Sequence, residues 1–126
     1  MAIHKVFEYA VIRLVPVVER EEFMNIGVIL FCKELDFIDV RYSLNHQKIQ
    51  SFAPQIDIQL LEEYLKSFQS IVKGKEEGGE IATYISAERF RWLTATRSTM
   101  IQCSKVHPGF CENPELKLNQ LFEEFV

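Results

Sequence analysis

The sequence predicts an α+β fold: an antiparallel four-stranded sheet in the element order β-β-β-α-α-β-α, with the helices packed on one face. Three observations support this prediction. Three strand-like apolar segments follow one another closely, segments with helical periodicity come later, and 48% hydrophobic with 25% charged residues is typical of a packed core. A length of 126 residues without an obvious linker predicts one domain, residues 1–126.

The predicted strands are short segments rich in apolar, β-branched and aromatic residues: 5–15, 26–33, 37–43 and 99–105. Short links between the first three favour antiparallel pairing. Both faces of the first strand are largely apolar, which is typical of an interior strand, and Pro16 ends it because proline cannot donate to a ladder. His107-Pro108-Gly109 is predicted to form a turn.

Capping residues and apolar spacing predict the helices. A short helix is expected before Pro54, and Asp57 is a suitable N-cap for a longer one. Its apolar positions recur as in an amphipathic helix of about four turns: Leu61, Tyr64, Leu65, Phe68 and Val72. Helical spacing resumes at Ile81, Tyr84 and Ile85, and a second apolar group is expected in a helical turn or an irregular segment: Phe90, Trp92 and Leu93. Asn113 is expected to cap a last helix that begins with Pro114.

The first candidate site surrounds Arg13, a charge in the middle of an apolar strand. The predicted hairpin places Arg13 opposite Gly27, where glycine leaves room for a guanidinium or a ligand, with Glu22 and Asn25 near the mouth. One interpretation is a carboxylate or anion site, because arginine offers forked donors. The other is a structural ion pair of Arg13 with Glu22 or Asp39. Asn25 and Gly27 alternatively only shape the start of the second strand.

The second candidate site is a basic cluster beside Trp92, made of Arg89, Arg91, Arg97 and Ser98. Basic residues interleaved with an aromatic can bind single-stranded nucleic acid by charge and stacking. The alternative is a solvated helix face with Trp92 in the core. A net charge of −4 argues against nucleic acid as the partner.

No catalytic, metal or cofactor site is assigned. Cys103, His107 and Cys111 are spaced by four, but Pro108 and Gly109 oppose a helix there, and zinc sites need four ligands with closer pairs. No phosphate-binding glycine loop or nucleophile elbow occurs. The N-terminal segment lacks a secretory signal, and no segment approaches the about 20 apolar residues that span a membrane. We therefore expect a cytoplasmic protein without a membrane partner.

Two motifs resemble the bacterial domain-of-unknown-function 3037 family: Y-x-x-x-R-x-x-P from Tyr9 to Pro16, and E-x-x-N-x-G-V from Glu22 to Val28. The run from Arg89 to Gly109 and the helix led by Pro114 agree with this resemblance, which covers nearly the whole chain. It implies a small bacterial protein of a family without an established activity. Some members are associated with a neighbouring kinase-like gene of the toxin–antitoxin type. The resemblance also implies that Cys103 and Cys111 occupy variable positions.

Three functional hypotheses remain. The first is a non-catalytic interaction module or accessory subunit for a protein partner, such as that kinase-like neighbour. The second is an enzyme or binding protein for a phosphorylated or nucleic-acid ligand, which requires Arg13, Arg91 and Arg97 to converge in one pocket with Glu22 as acid or base. The third, ranked last, is nucleic-acid binding through the sheet face.

Overall fold

The computed structural model describes residues 4–126, which form a five-stranded antiparallel sheet with helices on both faces. The strands are β1 (Lys5–Leu14), β2 (Met24–Cys32), β3 (Phe37–Tyr42), β4 (Ile101–Cys103) and β5 (His107–Cys111). The helices are α1 (His46–Phe52), α2 (Ile58–Lys73), α3 (Ser86–Thr94) and α4 (Pro114–Phe125). The α+β class and the antiparallel pairing of the first three strands are confirmed.

The fifth strand arises because one edge of β1 is shared by two short strands. β4 pairs with Ile12–Leu14, and β5 pairs with Lys5–Tyr9, so the sheet order is β3-β2-β1-β4 with β5 also on β1. The turn predicted at His107-Pro108-Gly109 is therefore wrong. Proline is tolerated there because β5 is an edge strand. Gly109 packs against the Phe7 ring, and a Cβ atom at this position would lie 2.7 Å from it.

The break between β4 and β5 is bridged by a single buried serine. The Val11 amide donates to Ser104 Oγ at 2.8 Å, and the Ser104 amide donates to the Val11 carbonyl at 2.8 Å. The backbone of β1 thus keeps its hydrogen bonds at the point where neither short strand reaches it.

Helices cover both faces of the sheet, so the predicted placement on one face is wrong for α4. One core cluster joins Ala10, Ile12 and Leu14 to α1, α2 and α3. The second cluster joins alternate residues of the same strands, such as Phe7 and Leu30, to Leu118 and Leu121 of α4. Central strands that are apolar on both faces need cover on both, and α4 supplies the second layer.

Polar caps begin three of the helices. Asn45, Asp57 and Asn113 each accept a hydrogen bond from the amide three residues later, which satisfies a donor that the helix leaves unpaired. The predicted caps at Asp57 and Asn113 are confirmed, as is Pro114 in the first turn of α4. Two 3₁₀ turns, Glu76–Gly78 and Ile81–Thr83, precede α3.

Candidate functional site

The β1–β2 hairpin has a different register from the one predicted around Arg13. Ile12 lies opposite Gly27, and Arg13 lies opposite Asn25, so Ile26 is the extra residue of a β-bulge. The predicted pairing of Arg13 with Gly27 is therefore wrong. A bulge adds one residue to one strand and shifts every pair beyond it.

Gly27 allows close packing of β2 against β3. A Cβ atom at this position would lie 2.8 Å from the Arg41 carbonyl oxygen and 2.8 Å from Tyr42 Cβ. Both atoms are fixed by the backbone of the neighbouring strand. Glycine is needed so that β2 and β3 can approach closely, and the space predicted for a guanidinium is absent at Gly27.

Arg13 is half-buried and stacks on an aromatic ring. Its Cζ atom lies 4.0 Å from the centroid of the Phe23 ring. Its Nε atom is buried without a hydrogen-bond partner among residues 4–126. The cross-strand neighbour Asn25 donates from Nδ2 to the Phe125 carbonyl at 3.1 Å, which ties the hairpin to the end of α4.

The ion pairs predicted for Arg13 are wrong, because both carboxylates bind other cations. Glu22 Oε1 lies 2.6 Å from Arg20 Nε, at an exposed site near the hairpin turn. Asp39 Oδ1 lies 3.3 Å from Lys73 Nζ. Among the described residues, the structure therefore leaves Arg13 without a carboxylate within salt-bridge distance.

The basic cluster beside Trp92 separates into two structural arginines, Arg89 and Arg97, and two exposed residues. Arg89 donates from Nη1 to the Val72 carbonyl at 2.6 Å, at the C-terminal end of α2. Arg97 donates from Nη1 to the Leu93 carbonyl at 3.2 Å and from Nη2 to the Trp92 carbonyl, and its Cζ lies 4.3 Å from the Trp92 ring centroid. It therefore caps the C-terminal end of α3. Arg91 and Ser98 are exposed. Trp92 is 42% exposed, so the interpretation that placed it in the core is wrong.

Arg13 and Arg97 lie on opposite faces of the sheet. Arg13 alternates with Ile12 and Leu14, which point into the core beneath α2 and α3, so its side chain lies on the α4 face. Arg97 follows α3 on the other face. The convergence that an arginine-rich pocket requires is therefore not found among the described residues.

An open groove lies between α2, the C-terminal end of α3 and the segment leading into β4. It measures about 570 Å³ and is mostly apolar. We call it the α2–α3 groove; its main lining residues are Leu60, Tyr64, Phe68, Trp92, Leu93, Met100, Ile101 and Cys103. The groove is not predicted from the sequence, although Leu60, Tyr64 and Phe68 recur every four residues beside the core-facing positions of α2.

Cys103 is the thiol that lines the groove. Burial raises the pKa of Cys103 to about 12, against the opposing effect of the Arg97 and Arg13 charges. Its Sγ lies 3.6 Å from the Leu93 carbonyl. The thiol is therefore protonated at neutral pH and is a poor nucleophile.

Residues 4–126 contain neither a metal-binding cluster nor a membrane-spanning helix. No three His, Cys, Asp or Glu side chains in this part of the chain are close enough together to hold a metal ion. The helices described there are too short or too polar to cross a bilayer.

The fold and its surfaces define a small α+β protein with a sheet covered on both faces and an open apolar groove beside α2. The chain belongs to the family described as a protein of unknown function (DUF3037), whose profile matches residues 9–126. The resemblance of the two motifs to this family is thus confirmed. Comparison with curated proteins and with solved structures gave no match.

Proposed function

We propose that this chain is a non-catalytic protein-interaction module that binds its partner protein through the α2–α3 groove. The observation that carries the proposal is the exposed apolar rim of the groove. Leu60 is 39%, Tyr64 47% and Trp92 42% exposed. A contiguous apolar surface of this kind is costly in water and typically marks an interaction site.

The side chains at the rim favour a protein partner. Tyrosine and tryptophan are enriched among the residues that dominate binding energy in protein interfaces. Leu60 and Tyr64 lie one turn apart on α2, so the rim follows the helix axis and suits an amphipathic helix laid along it. Arg91, exposed on α3, favours acidic residues flanking the apolar face of that helix.

The chemistry of the groove supports a binding role over a catalytic one. Nucleophilic catalysis needs an activated nucleophile beside a base. Cys103 is held protonated, and none of His4, His46 and His107 lines the groove. What the groove offers a ligand is apolar contact area.

The family resemblance suggests the first partner to test, the kinase-like protein of the toxin–antitoxin type encoded beside some family members. The experiment is to purify both full-length proteins and measure binding by isothermal titration calorimetry at micromolar concentration. The test variant is Leu60→Glu, which places a charge at the groove rim.

The chain offers a closely matched control, Leu116→Glu on α4. Leu60 and Leu116 occupy the same position after their capping residues, and each amide donates to that cap at 3.2 Å. Glutamate is favourable at this position of a helix, so both variants are expected to fold. Leu116 is 60% exposed and lies away from the groove.

We expect Leu60→Glu to weaken binding by about tenfold or more, because losing this apolar contact and burying a charge against the partner costs at least about 1–2 kcal/mol. Leu116→Glu should bind as the parent does. Equal weakening by both variants, or by neither, would show that the groove is not the binding surface. Absence of any complex with the kinase-like protein would remove that partner.

A further inference from the structure

Arg13 differs from the other five arginines of the chain. Four of them donate hydrogen bonds to the protein: Arg20, Arg41, Arg89 and Arg97. Arg91 is exposed on α3. Arg13 is half-buried on the central strand, yet its guanidinium has no hydrogen bond and no ion pair within residues 4–126.

Packing fixes the guanidinium, with Nε buried and no hydrogen-bond partner for its donors within residues 4–126. β2 and β4 flank Arg13, with Asn25 opposite on one side and Gln102 on the other. The Phe23 ring covers the guanidinium at 4.0 Å, and this residue is 46% exposed, so the stacked pair lies at the surface. Stacking occupies the flat face of a guanidinium, whereas its N–H groups point outward in the plane.

The surrounding charges leave this cation unbalanced. The chain has an excess of acidic residues, with a net charge of −4. The two carboxylates considered as partners of Arg13 nevertheless pair with other cations, Glu22 with Arg20 and Asp39 with Lys73. A half-buried charge without a partner is unfavourable, and an anion that pairs with it recovers that free energy.

We propose that Arg13 and Phe23 form a binding site for the carboxylate of an acidic peptide or small molecule. One guanidinium supplies one fork and one positive charge, which match a planar monoanionic carboxylate better than a phosphate dianion. The site lies on the α4 face, opposite the α2–α3 groove. It is therefore independent of the proposed function, and either can fail alone.

The test is a titration of the full chain with N-acetylglycine, followed by nuclear magnetic resonance of the Arg13 and Asn25 backbone amides and the Arg13 Nε–H group. N-acetylglycinamide, which lacks the charge, and inorganic phosphate are titrated in parallel. We expect saturable shifts with N-acetylglycine alone. Equal shifts with the amide, saturation by phosphate only, or no saturation would each overturn the proposal.

Variants separate a binding site from a structural arginine. Arg13→Lys keeps the charge but loses the fork, so saturable binding, followed at the Asn25 amide, should be lost. Phe23→Leu keeps an apolar cover and should weaken binding by roughly two- to fivefold through loss of the cation–π contact. The matched control is Arg41→Lys, at an exposed arginine that also stacks on a ring, Phe122 at 4.4 Å, and it should bind as the parent does. Unchanged binding in both Arg13→Lys and Phe23→Leu would overturn the proposal.

Discussion

Replacing Ser104 with alanine should destabilise the protein by leaving the buried Val11 amide without a hydrogen-bond partner. Ser104 is buried, and its hydroxyl is the acceptor for the Val11 amide at 2.8 Å. Alanine removes that acceptor, and Val11 is itself 7% exposed, so water cannot easily replace it. The hydroxyl also donates to the Lys105 carbonyl, but Lys105 is exposed and its carbonyl can bind water.

The magnitude follows from the buried donor that is left behind. An unsatisfied buried amide costs about 1–3 kcal/mol, so the free energy of unfolding should fall by that amount. For a domain of this size, about 1 kcal/mol corresponds to roughly 4 °C in Tm. Ser104→Ala should therefore lower Tm by roughly 4–12 °C.

Urea unfolding monitored by circular dichroism measures the change, and hydrogen exchange of the Val11 amide localises it. The matched control is Ser98→Ala, which removes an exposed hydroxyl that makes no hydrogen bond among the described residues and should change stability by less than about 0.5 kcal/mol. If the two alanine variants unfold at the same urea concentration, and Val11 exchange is unchanged, the reasoning is refuted.

Two further predictions concern packing and pH. Gly27→Ala should lower the free energy of unfolding by about 1–3 kcal/mol, because the added Cβ meets two backbone-anchored atoms at 2.8 Å; an unchanged urea midpoint would contradict this. The pKa of Cys103 is about 12 when folded against 9.0 ordinarily, so the unfolded state binds fewer protons between these values and stability falls as pH rises through this range. Cys103→Ala should flatten that alkaline decline in urea titrations at pH 7, 9 and 10.5, and an identical slope would contradict the assignment.

The sequence predicted the sheet well where pairing is local, and failed where it is not. β1, β2 and β3 follow from segments rich in apolar, β-branched and aromatic residues that are joined by short links. β5 could not be predicted, because Pro108 and Gly109 are typical of a turn, and pairing with Lys5–Tyr9 overrides that local preference. The bulge at Ile26 was equally hidden, since β2 is apolar on both faces and alternation there does not report a one-residue shift.

The candidate sites divide in the same way. Arg13 was identified because a charge inside an apolar strand is unusual, but its neighbours depended on the hairpin register, which the bulge changes. The α2–α3 groove could not be predicted, because an apolar helical face indicates burial but does not show whether another part of the same chain covers it. Leu60 and Tyr64 continue the apolar face of α2 beyond the part that the sheet covers.

The hydrogen bond between Val11 and Ser104 joins residues 93 positions apart. During synthesis, the β1–β2–β3 meander therefore emerges from the ribosome long before the residues that complete the second edge of β1. Until residues 101–111 arrive, the first strand has a partner on one side only, and its other row of backbone amides and carbonyls faces solvent. Pairing at that edge comes late and joins residues far apart in the sequence, which slows folding. Until it forms, the unpaired edge exposes the nascent chain to pairing with other chains.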